Sequence, residues 1–256
     1  MKSRTYQPGF YSLSAKVRDR ESRRYQADKI VHVLTQLALH PFHSAVCLDV
    51  GCSSGVITTT LSHLFARIIG LDYDQLALED IDPAAFQVAS FLRGDAMSLP
   101  FATCSVDVII CAQVYEHVPD DEKLVVEIYR VLKPGGMVFF SGPNKLYPIE
   151  PHYFLPFLHW LPEKWADRYL QILGKGDRFY ERSRTLWELR KLLAQFTIQD
   201  VTVQVLHWKM QHAGSMLRIL GGLPTWLWQW LLPVLPNYNW LLYKPHFAEP
   251  SVNDTA

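Results

Sequence analysis

The sequence is poor in cysteine and carries no net charge, and each shortage excludes a class of protein. Its 256 residues include only four cysteines, too few for a disulfide-dense secreted scaffold. Cys47, Cys52, Cys104 and Cys111 also lack the spacing of a metal-binding motif, so we expect small buried thiols in a reducing, cytoplasmic compartment. Lysine plus arginine and aspartate plus glutamate both total 25. A duplex nucleic-acid binder normally has a basic excess, so no nucleic-acid partner is expected.

Acidic residues and an apolar leader are missing from particular parts of the chain. Residues 1–24 lack the apolar stretch of a secretion signal, and they hold seven basic residues against two acidic ones. Residues 201–248 hold no acidic residue but five of the eight tryptophans. The first and last parts of the chain are therefore basic, and the last is also aromatic.

Short apolar runs alternate with helical patterns through the first 141 residues. Helices are expected over 25–39, around 57–65, and after Asp120, a plausible N-cap. Buried strands are expected at 46–50, 68–71, 87–92, 106–111 and 137–141. This alternation predicts a parallel sheet with helices on both faces, which is an α/β doubly wound fold.

The later part of the chain has its own signals. Thr185 and Glu188 fit a capping box and predict a helix. Valines at 201, 203 and 205 alternate with polar residues, which is typical of a half-exposed strand, and 239–243 is a candidate last strand. Two segments rich in proline and aromatic residues, 143–183 and 208–237, break the alternation. We interpret them as inserts over the binding face.

A single domain over 1–256 accounts for these patterns. Its expected parts are a helical segment at 1–42, a cofactor-binding core at 43–142, a cap insert at 143–183, and a C-terminal part at 184–256. Ligands of doubly wound sheets bind beyond the carboxyl ends of the strands, where the strand order reverses. The functional site is therefore expected where these strands end.

Acceptors suited to a nucleoside follow three of the predicted strands. Gly51 and Gly55 let the chain turn closely around a ligand after strand one. Asp72 can accept both hydroxyls of a ribose, and Asp95 can accept from an adenine amine. The loop lacks the G-x-G-x-x-G pattern of dinucleotide sites, and Asp49 would repel a pyrophosphate while favouring a cation. These features argue against a nicotinamide-dependent oxidoreductase.

Several motifs of this region resemble those of class I S-adenosylmethionine-dependent methyltransferases, of the bacterial type 11 group related to ubiquinone-biosynthesis enzymes. The matching residues are Asp49-Val50-Gly51-Cys52-Ser53-Ser54-Gly55, Gly70-Leu71-Asp72, Gly94-Asp95-Ala96, Leu99-Pro100-Phe101, Tyr115-Glu116-His117-Val118 and Leu132-Lys133-Pro134-Gly135-Gly136. The resemblance implies a Rossmann-like, mostly parallel seven-stranded sheet. It also implies that S-adenosyl-L-methionine is the cofactor and that a methyl group is transferred to a small molecule.

The resemblance also implies which residues bind the cofactor. They are Asp49, Gly51, Cys52, Ser53, Gly55, Asp72, Tyr73, Asp95, Ala96 and Gln113. The family usually has glycine at the position of Ser53, and a serine there restricts the backbone. We therefore expect either weaker cofactor binding or a slightly different loop.

A catalytic base is needed only if the methyl acceptor must lose a proton. The candidates are His117, Glu150, His152 and Tyr153. A structural role remains open for each, as a histidine bonded to backbone at 117 and as lid structure at 150–153. No metal site is expected. The sequence leaves open whether oxygen, carbon or nitrogen receives the methyl group.

An uncharged stretch over 219–243 bears on the acceptor and on membrane contact. Its prolines and Asn237 disfavour a regular spanning helix. A cap over the substrate pocket and a peripheral membrane contact through 208–237 both remain open. Either favours an apolar or lipid-linked acceptor. The Glu150-Pro151-His152-Tyr153 segment resembles that of relatives associated with modifying cell-surface sugars or lipids, and this resemblance implies a cell-surface glycan precursor as another candidate. The alternative function is a catalytically silent cofactor- or partner-binding protein of the same fold.

Overall fold

The computed structural model describes residues 5–7, 9–13, 18–38, 42–212 and 224–246. Short 3₁₀ turns cover 62–64, 83–87, 158–160 and 232–234. The helices are α1 (Phe10–Leu13), α2 (Arg20–Leu37), α3 (Val56–Leu61), α4 (Gln75–Glu79), α5 (Asp121–Val131), α6 (Glu163–Ile172), α7 (Leu186–Leu192), α8 (Thr202–Gln211) and α9 (Thr225–Leu231). The strands are β1 (Val46–Val50), β2 (Arg67–Asp72), β3 (Ser90–Arg93), β4 (Val106–Ala112), β5 (Leu132–Pro143), β6 (Ile149–Glu150), β7 (Leu155–Pro156), β8 (Thr197–Asp200) and β9 (Asn237–Tyr243).

Seven strands form one sheet in the order β3-β2-β1-β4-β5-β9-β8. The first five pair in parallel, and β9 runs antiparallel between β5 and β8. The predicted doubly wound, mostly parallel seven-stranded sheet is therefore confirmed. The strand order reverses beside β1, which places the crevice between the carboxyl ends of β1 and β4.

Both faces of the sheet are buried, as the continuous apolar runs predict. Within β4, Val108 and Ile110 pack into one hydrophobic cluster, while Ile109 and Cys111 pack into the other. The first cluster also contains the apolar face of α2. Because successive strand residues point to opposite faces, one apolar run supplies both cores.

Helix boundaries follow the capping signals closely. Asp120 accepts a hydrogen bond from the Lys123 amide at the start of α5. Thr185 and Glu188 form a complete capping box at the start of α7. Both predicted caps are thus confirmed, because a side-chain oxygen satisfies an amide that the first helical turn leaves unpaired.

Two predicted strands are corrected. Val203 and Val205 belong to α8 and Val201 is its N-cap, while β8 is the preceding segment Thr197–Asp200. Val201 and Val205, four residues apart, face the main core, while Val203 packs with Trp228 on another side. The valines therefore recur at every second residue because the helix is buried on two of its sides. The strand expected at 87–92 begins only at Ser90, because Pro83–Gln87 forms a 3₁₀ turn capped by Asp82.

The two interrupting segments differ in structure. The cap insert 143–183 carries β6, β7 and α6 and has its own apolar cluster. Part of the second segment, 213–223, lies outside the described residues. The uncharged stretch is not one unit, because its last residues form the central strand β9. No helix among the described residues is both long enough and apolar enough to cross a membrane.

Candidate functional site

A cavity of about 600 Å³ opens at the carboxyl ends of β1, β2 and β4. The segment before α2 covers one side of it, and the cap insert and α8 also reach its wall. Of the predicted site residues, eight line the cavity: Gly51, Ser53, Asp72, Tyr73, Ala96, Gln113, His117 and His152. The structure therefore brings together side chains that lie up to a hundred residues apart in the sequence.

The turn after β1 depends on left-handed backbone. Gly51 has φ 73° and an added Cβ there would lie 2.8 Å from Val114. Ser53 also has positive φ, at 53°, so the serine accepts the conformation that glycine adopts more easily. The departure from the family pattern thus leaves the turn in place.

Asp72 joins the end of β2 to this turn. Its Oδ2 accepts a hydrogen bond from the Ser53 amide at 2.7 Å, and its Oδ1 accepts from the Asp74 amide at 2.9 Å. Burial raises the pKa of Asp72 although both bonds favour the charged form. The carboxylate lies in the cavity wall, where it could accept hydrogen bonds from a ribose.

Asp49, Cys52 and Gly55 lie behind the wall instead of in it. Asp49 is buried, accepts from the Thr58 hydroxyl at 2.6 Å, and has its pKa raised by burial to about 6. A Cβ on Gly55 would lie 2.8 Å from the ring of Phe91. These residues therefore shape the loop, and the expected direct contact with a ligand does not follow from their positions.

Asp95 is engaged by the chain itself. Its Oδ1 accepts from the Tyr6 hydroxyl at 2.7 Å and from the Met97 amide at 2.8 Å. The ring of Tyr6 stacks on Tyr73, with centroids 4.2 Å apart. A tyrosine from the covering segment thus occupies the contact that the sequence assigns to adenine. Of the three carboxylates expected to converge on one ligand, Asp72 lines the cavity, while Asp49 and Asp95 accept hydrogen bonds from neighbouring residues of the chain.

A histidine pair marks another part of the cavity. His117 follows β4 and His152 belongs to the cap insert, and their rings meet edge to face with centroids 4.9 Å apart. Nδ1 of His152 donates to Oε1 of the fully buried Glu150 at 2.7 Å. The other Glu150 oxygen accepts the amides of His152 and Tyr153. Glu150 therefore fixes the ring of His152 without reaching the cavity itself.

The pKa values of the side chains in this cluster shift in opposite directions. Burial opposes a charge on His152, but the hydrogen bond to Glu150 and nearby carboxylates raise its pKa overall. Burial and the charge of His152 lower the pKa of His117. Burial raises the pKa of Glu116 to about 7 and also raises that of Glu181. Such opposed shifts in one cavity are typical of sites that move protons.

Glu116 is a site residue that the sequence reasoning missed. Both of its carboxylate oxygens are buried and lack a hydrogen-bond partner among the described residues. Glu116, His117 and His152 each offer one ligand atom within 4.8 Å of the others, a spacing that could hold a metal ion. The sequence contained a signal, because Glu116 adjoins His117 in the motif after β4.

Tyr153 lies outside the cavity wall. Its ring packs against Phe179, and burial together with nearby carboxylates raises its pKa. A phenol whose pKa is raised is a poor base near neutral pH. The position of Tyr153 therefore favours support of Glu150 through its amide over direct contact with an acceptor.

The cavity also receives residues that no motif indicated. Tyr6, Arg23, Lys29 and Lys209 all line it. Of these four, only Lys29 stands out in the sequence, because it falls between the apolar residues of α2 that face the core. Tyr6 and Lys209 are recognised only once the chain is folded.

Part of the chain is similar in sequence to known proteins. Residues 48–140 match a family model described as a methyltransferase domain. A protein of Mycolicibacterium smegmatis named "Probable S-adenosylmethionine-dependent methyltransferase" is 33% identical over 114 residues, which are 44% of each chain. A ubiquinone biosynthesis O-methyltransferase of Vibrio atlanticus is 27% identical over 168 residues, covering 63% of this chain and 66% of that one. The chain thus matches less than two thirds of the length of these curated relatives.

Solved structures show the same fold. Phosphoethanolamine N-methyltransferase 1 of Haemonchus contortus, in complex with phosphoethanolamine and S-adenosylhomocysteine, has a TM-score of 0.58 and 14% identity. The match covers 95% of this chain and 46% of that one. At this identity the likeness concerns the fold alone, and it agrees with the sheet described above.

Proposed function

We propose that this chain, whose residues 48–140 form a class I S-adenosylmethionine-dependent methyltransferase domain, transfers a methyl group from S-adenosylmethionine to a small-molecule acceptor. One observation carries the proposal. Asp72, the turn at Gly51 and Ser53, and the pair His117 and His152 face a single cavity. Its volume lies within the usual range of about 300–1,000 Å³ for small-molecule sites.

The residues of the wall fit the cofactor. The Asp72 carboxylate suits a ribose diol, and the absence of a side chain at Gly51 leaves room beside Val114. Gln113 and Ala96 complete this side of the cavity. When bound, the cofactor supplies an electrophilic methyl group on a sulfonium. The chain's own contribution is to orient two molecules and to exclude water.

His152 is the residue we propose as the base. Glu150 holds Nδ1, which leaves Nε2 to take a proton from an acceptor hydroxyl or acidic carbon. The ring of His117 stands against that of His152 and limits its rotation. His117 is thus a positioning residue, and Glu150 and Tyr153 support His152 from behind.

The proposal is tested by binding and turnover measured together. Titration calorimetry should show binding of S-adenosylhomocysteine and none of a nicotinamide dinucleotide. Labelled S-adenosylmethionine, incubated with panels of lipids and metabolites, should then yield a methylated product. Binding of the dinucleotide instead would contradict the assignment.

A catalytically silent binding protein is the second candidate function. It is favoured by the Tyr6 ring, which stacks on Tyr73 and donates to Asp95 where a nucleoside would be expected. In that case the cavity would be closed by its own chain. The two candidate functions predict different effects of the Tyr6 side chain on the affinity for the cofactor.

Replacing Tyr6 by phenylalanine removes the hydroxyl that donates to Asp95 and keeps the ring. If Tyr6 competes with adenine, the affinity for S-adenosylhomocysteine should rise about tenfold, since a hydrogen bond to a charged group contributes about 1.5–3 kcal/mol. Calorimetry measures the change. Tyr25→Phe is the control and should leave the affinity unchanged, because Tyr25 is not among the residues that line the cavity. A weaker affinity in the Tyr6 variant would show that Tyr6 closes over the cofactor instead.

An apolar or lipid-linked acceptor, including a cell-surface glycan precursor, is the substrate class we propose. The support is an aromatic face on α9, where Trp226 and Trp230 are 67% and 75% exposed and Trp228 is buried. Lys209 and Asn237, which flank α9 in the sequence, line the cavity. This exposure supports the proposal that the two tryptophans enter a membrane interface beside the acceptor site.

Exchanging Trp226 and Trp230 together for serine should release the protein from vesicles. Transfer of one large apolar side chain from water contributes about 1.5–3 kcal/mol, so retention on anionic liposomes should fall at least about tenfold. Flotation at low salt measures it. The exposed Trp187→Ser is the matched control, because Trp187 belongs to α7 and not to α9. Equal flotation of the double variant, or none of the wild type, would contradict a membrane contact here.

A further inference from the structure

A buried lysine lines the cavity, and no carboxylate of the described residues pairs with it. Lys29 is 3% exposed, and its Nζ lies 5.6 Å from the centroid of the Phe139 ring. It forms no hydrogen bond or ion pair with the residues that the structure describes. A buried cation is costly unless an anion pairs with it. The position therefore suggests a ligand that brings the negative charge.

The charges that act on Lys29 are themselves positive. Burial, together with Lys209 and Arg23, holds the pKa of Lys29 well below its ordinary value. Both also line the cavity, and α2 and α8, which carry the three side chains, contact each other. The Nε of Arg23 is buried and lacks a partner among the described residues. Two helices thus direct three basic side chains to the cavity.

These cations divide between the two halves of the cavity. The charge of Arg23 acts on Asp49 and Asp72, so Arg23 lies near the turn after β1. Lys29 packs over Phe139 of β5, and Lys209 belongs to the helix that packs on β9. Because β5 and β9 lie beyond β4 from β2 and β3, the two lysines stand away from the adenosine half.

We propose that Lys29 and Lys209 bind an anionic group, a carboxylate or a phosphate, on the methyl acceptor. The inference rests on the proposed function and narrows its substrate class to amphiphilic acceptors with an acidic group. Charge-assisted hydrogen bonds from buried ammonium groups are short and strong, and the bound anion would balance the clustered positive charge.

Inorganic phosphate is the probe, added to the protein saturated with S-adenosylhomocysteine. The wild type should bind phosphate in calorimetry or by broadening of the phosphorus resonance. Lys29→Met and Lys209→Met should each weaken this binding at least about tenfold. Lys123→Met is the control, because Lys123 is exposed on α5. Thermal unfolding of each variant checks folding, and methionine keeps most of the length of the buried chain.

The carboxylate of the cofactor is the competing source of the anion. If S-adenosylhomocysteine abolishes phosphate binding, and Lys29→Met weakens S-adenosylhomocysteine itself, the lysines hold the cofactor and the inference is overturned. Absence of phosphate binding in the folded wild type overturns it as well. The readout needs no turnover, so a protein that binds phosphate but transfers no methyl group would contradict the proposed function alone.

Discussion

Replacing His152 by glutamine is expected to lower the methyl-transfer rate by about 10²–10⁴-fold, the usual contribution of a positioned general base. His152 lines the cavity, and Glu150 holds its Nδ1 at 2.7 Å, which leaves Nε2 to take the proton. Glutamine can form hydrogen bonds but cannot take the proton. The affinity for S-adenosylhomocysteine should stay unchanged, because Asp72 and the β1 turn lie elsewhere in the wall.

The rate should also depend on pH in a defined direction. A base works only when deprotonated, and Glu150 raises the pKa of His152 above its ordinary value of 6.5. The rate should therefore rise with pH through a pKa above 6.5. Glu150→Gln removes the neighbouring negative charge, so the pH range over which the rate rises should move to lower pH. A merely structural role of Glu150 would lower the rate without moving this pH range.

The rate is measured with the acceptor that the substrate panels provide. His159→Gln is the matched control, because His159 is buried in the same cap insert and bonds only to the Tyr147 carbonyl. It should retain most of the activity. An unchanged rate in the His152 variant would contradict the base. A rate that falls on adding a chelator would favour an ion at Glu116, His117 and His152 over proton transfer.

Exchanging Asp72 for asparagine should weaken cofactor binding by about 10–100-fold, since hydrogen bonds to a charged group contribute about 1.5–3 kcal/mol. The substitution acts twice. It removes the negative acceptor from the cavity wall, and it places an amide where the carboxylate now accepts from Ser53 and Asp74. Binding should also weaken in acid, because the raised pKa of Asp72 means that its charge is lost at higher pH than its ordinary 3.8.

Calorimetry with S-adenosylhomocysteine measures the loss. Asp82→Asn is the control, because Asp82 likewise accepts a backbone amide but caps an exposed turn. Thermal unfolding of each variant checks that it is folded at the temperature of the titration. If Asp72→Asn binds as tightly as the wild type, the carboxylate is not part of the cofactor site and the orientation of the ligand must be reconsidered.

The sequence predicted the sheet well because its strands are buried on both faces. A short, continuous apolar run such as 106–111, bounded by polar residues, is typical of a strand covered on both sides. The valines at 201, 203 and 205 wrongly predicted a strand because α8 is buried on two sides. A helix with two apolar sides can carry an apolar residue at every second position. The contacts that decide this, with β9 and with α9, come from residues much later in the chain.

Of the predicted residues that line the cavity, all but His152 end or follow a strand of the main sheet. Asp72 and the turn at Gly51 belong to sequence motifs and lie in the wall. Tyr6, Lys29 and Lys209 come from segments with no motif, and the fold alone brings them to the cavity. Asp95 followed the pattern, yet its carboxylate is taken by Tyr6, because a covering segment can satisfy an acceptor as well as a ligand can.

The placement of β9 has a consequence for how the polypeptide is made. Strands β5 and β8 meet only through Asn237–Tyr243, which hydrogen-bonds along both. Until the ribosome has released these residues, β5 is an open edge, and open edges invite pairing with other chains. A nascent chain halted before residue 237 should therefore aggregate.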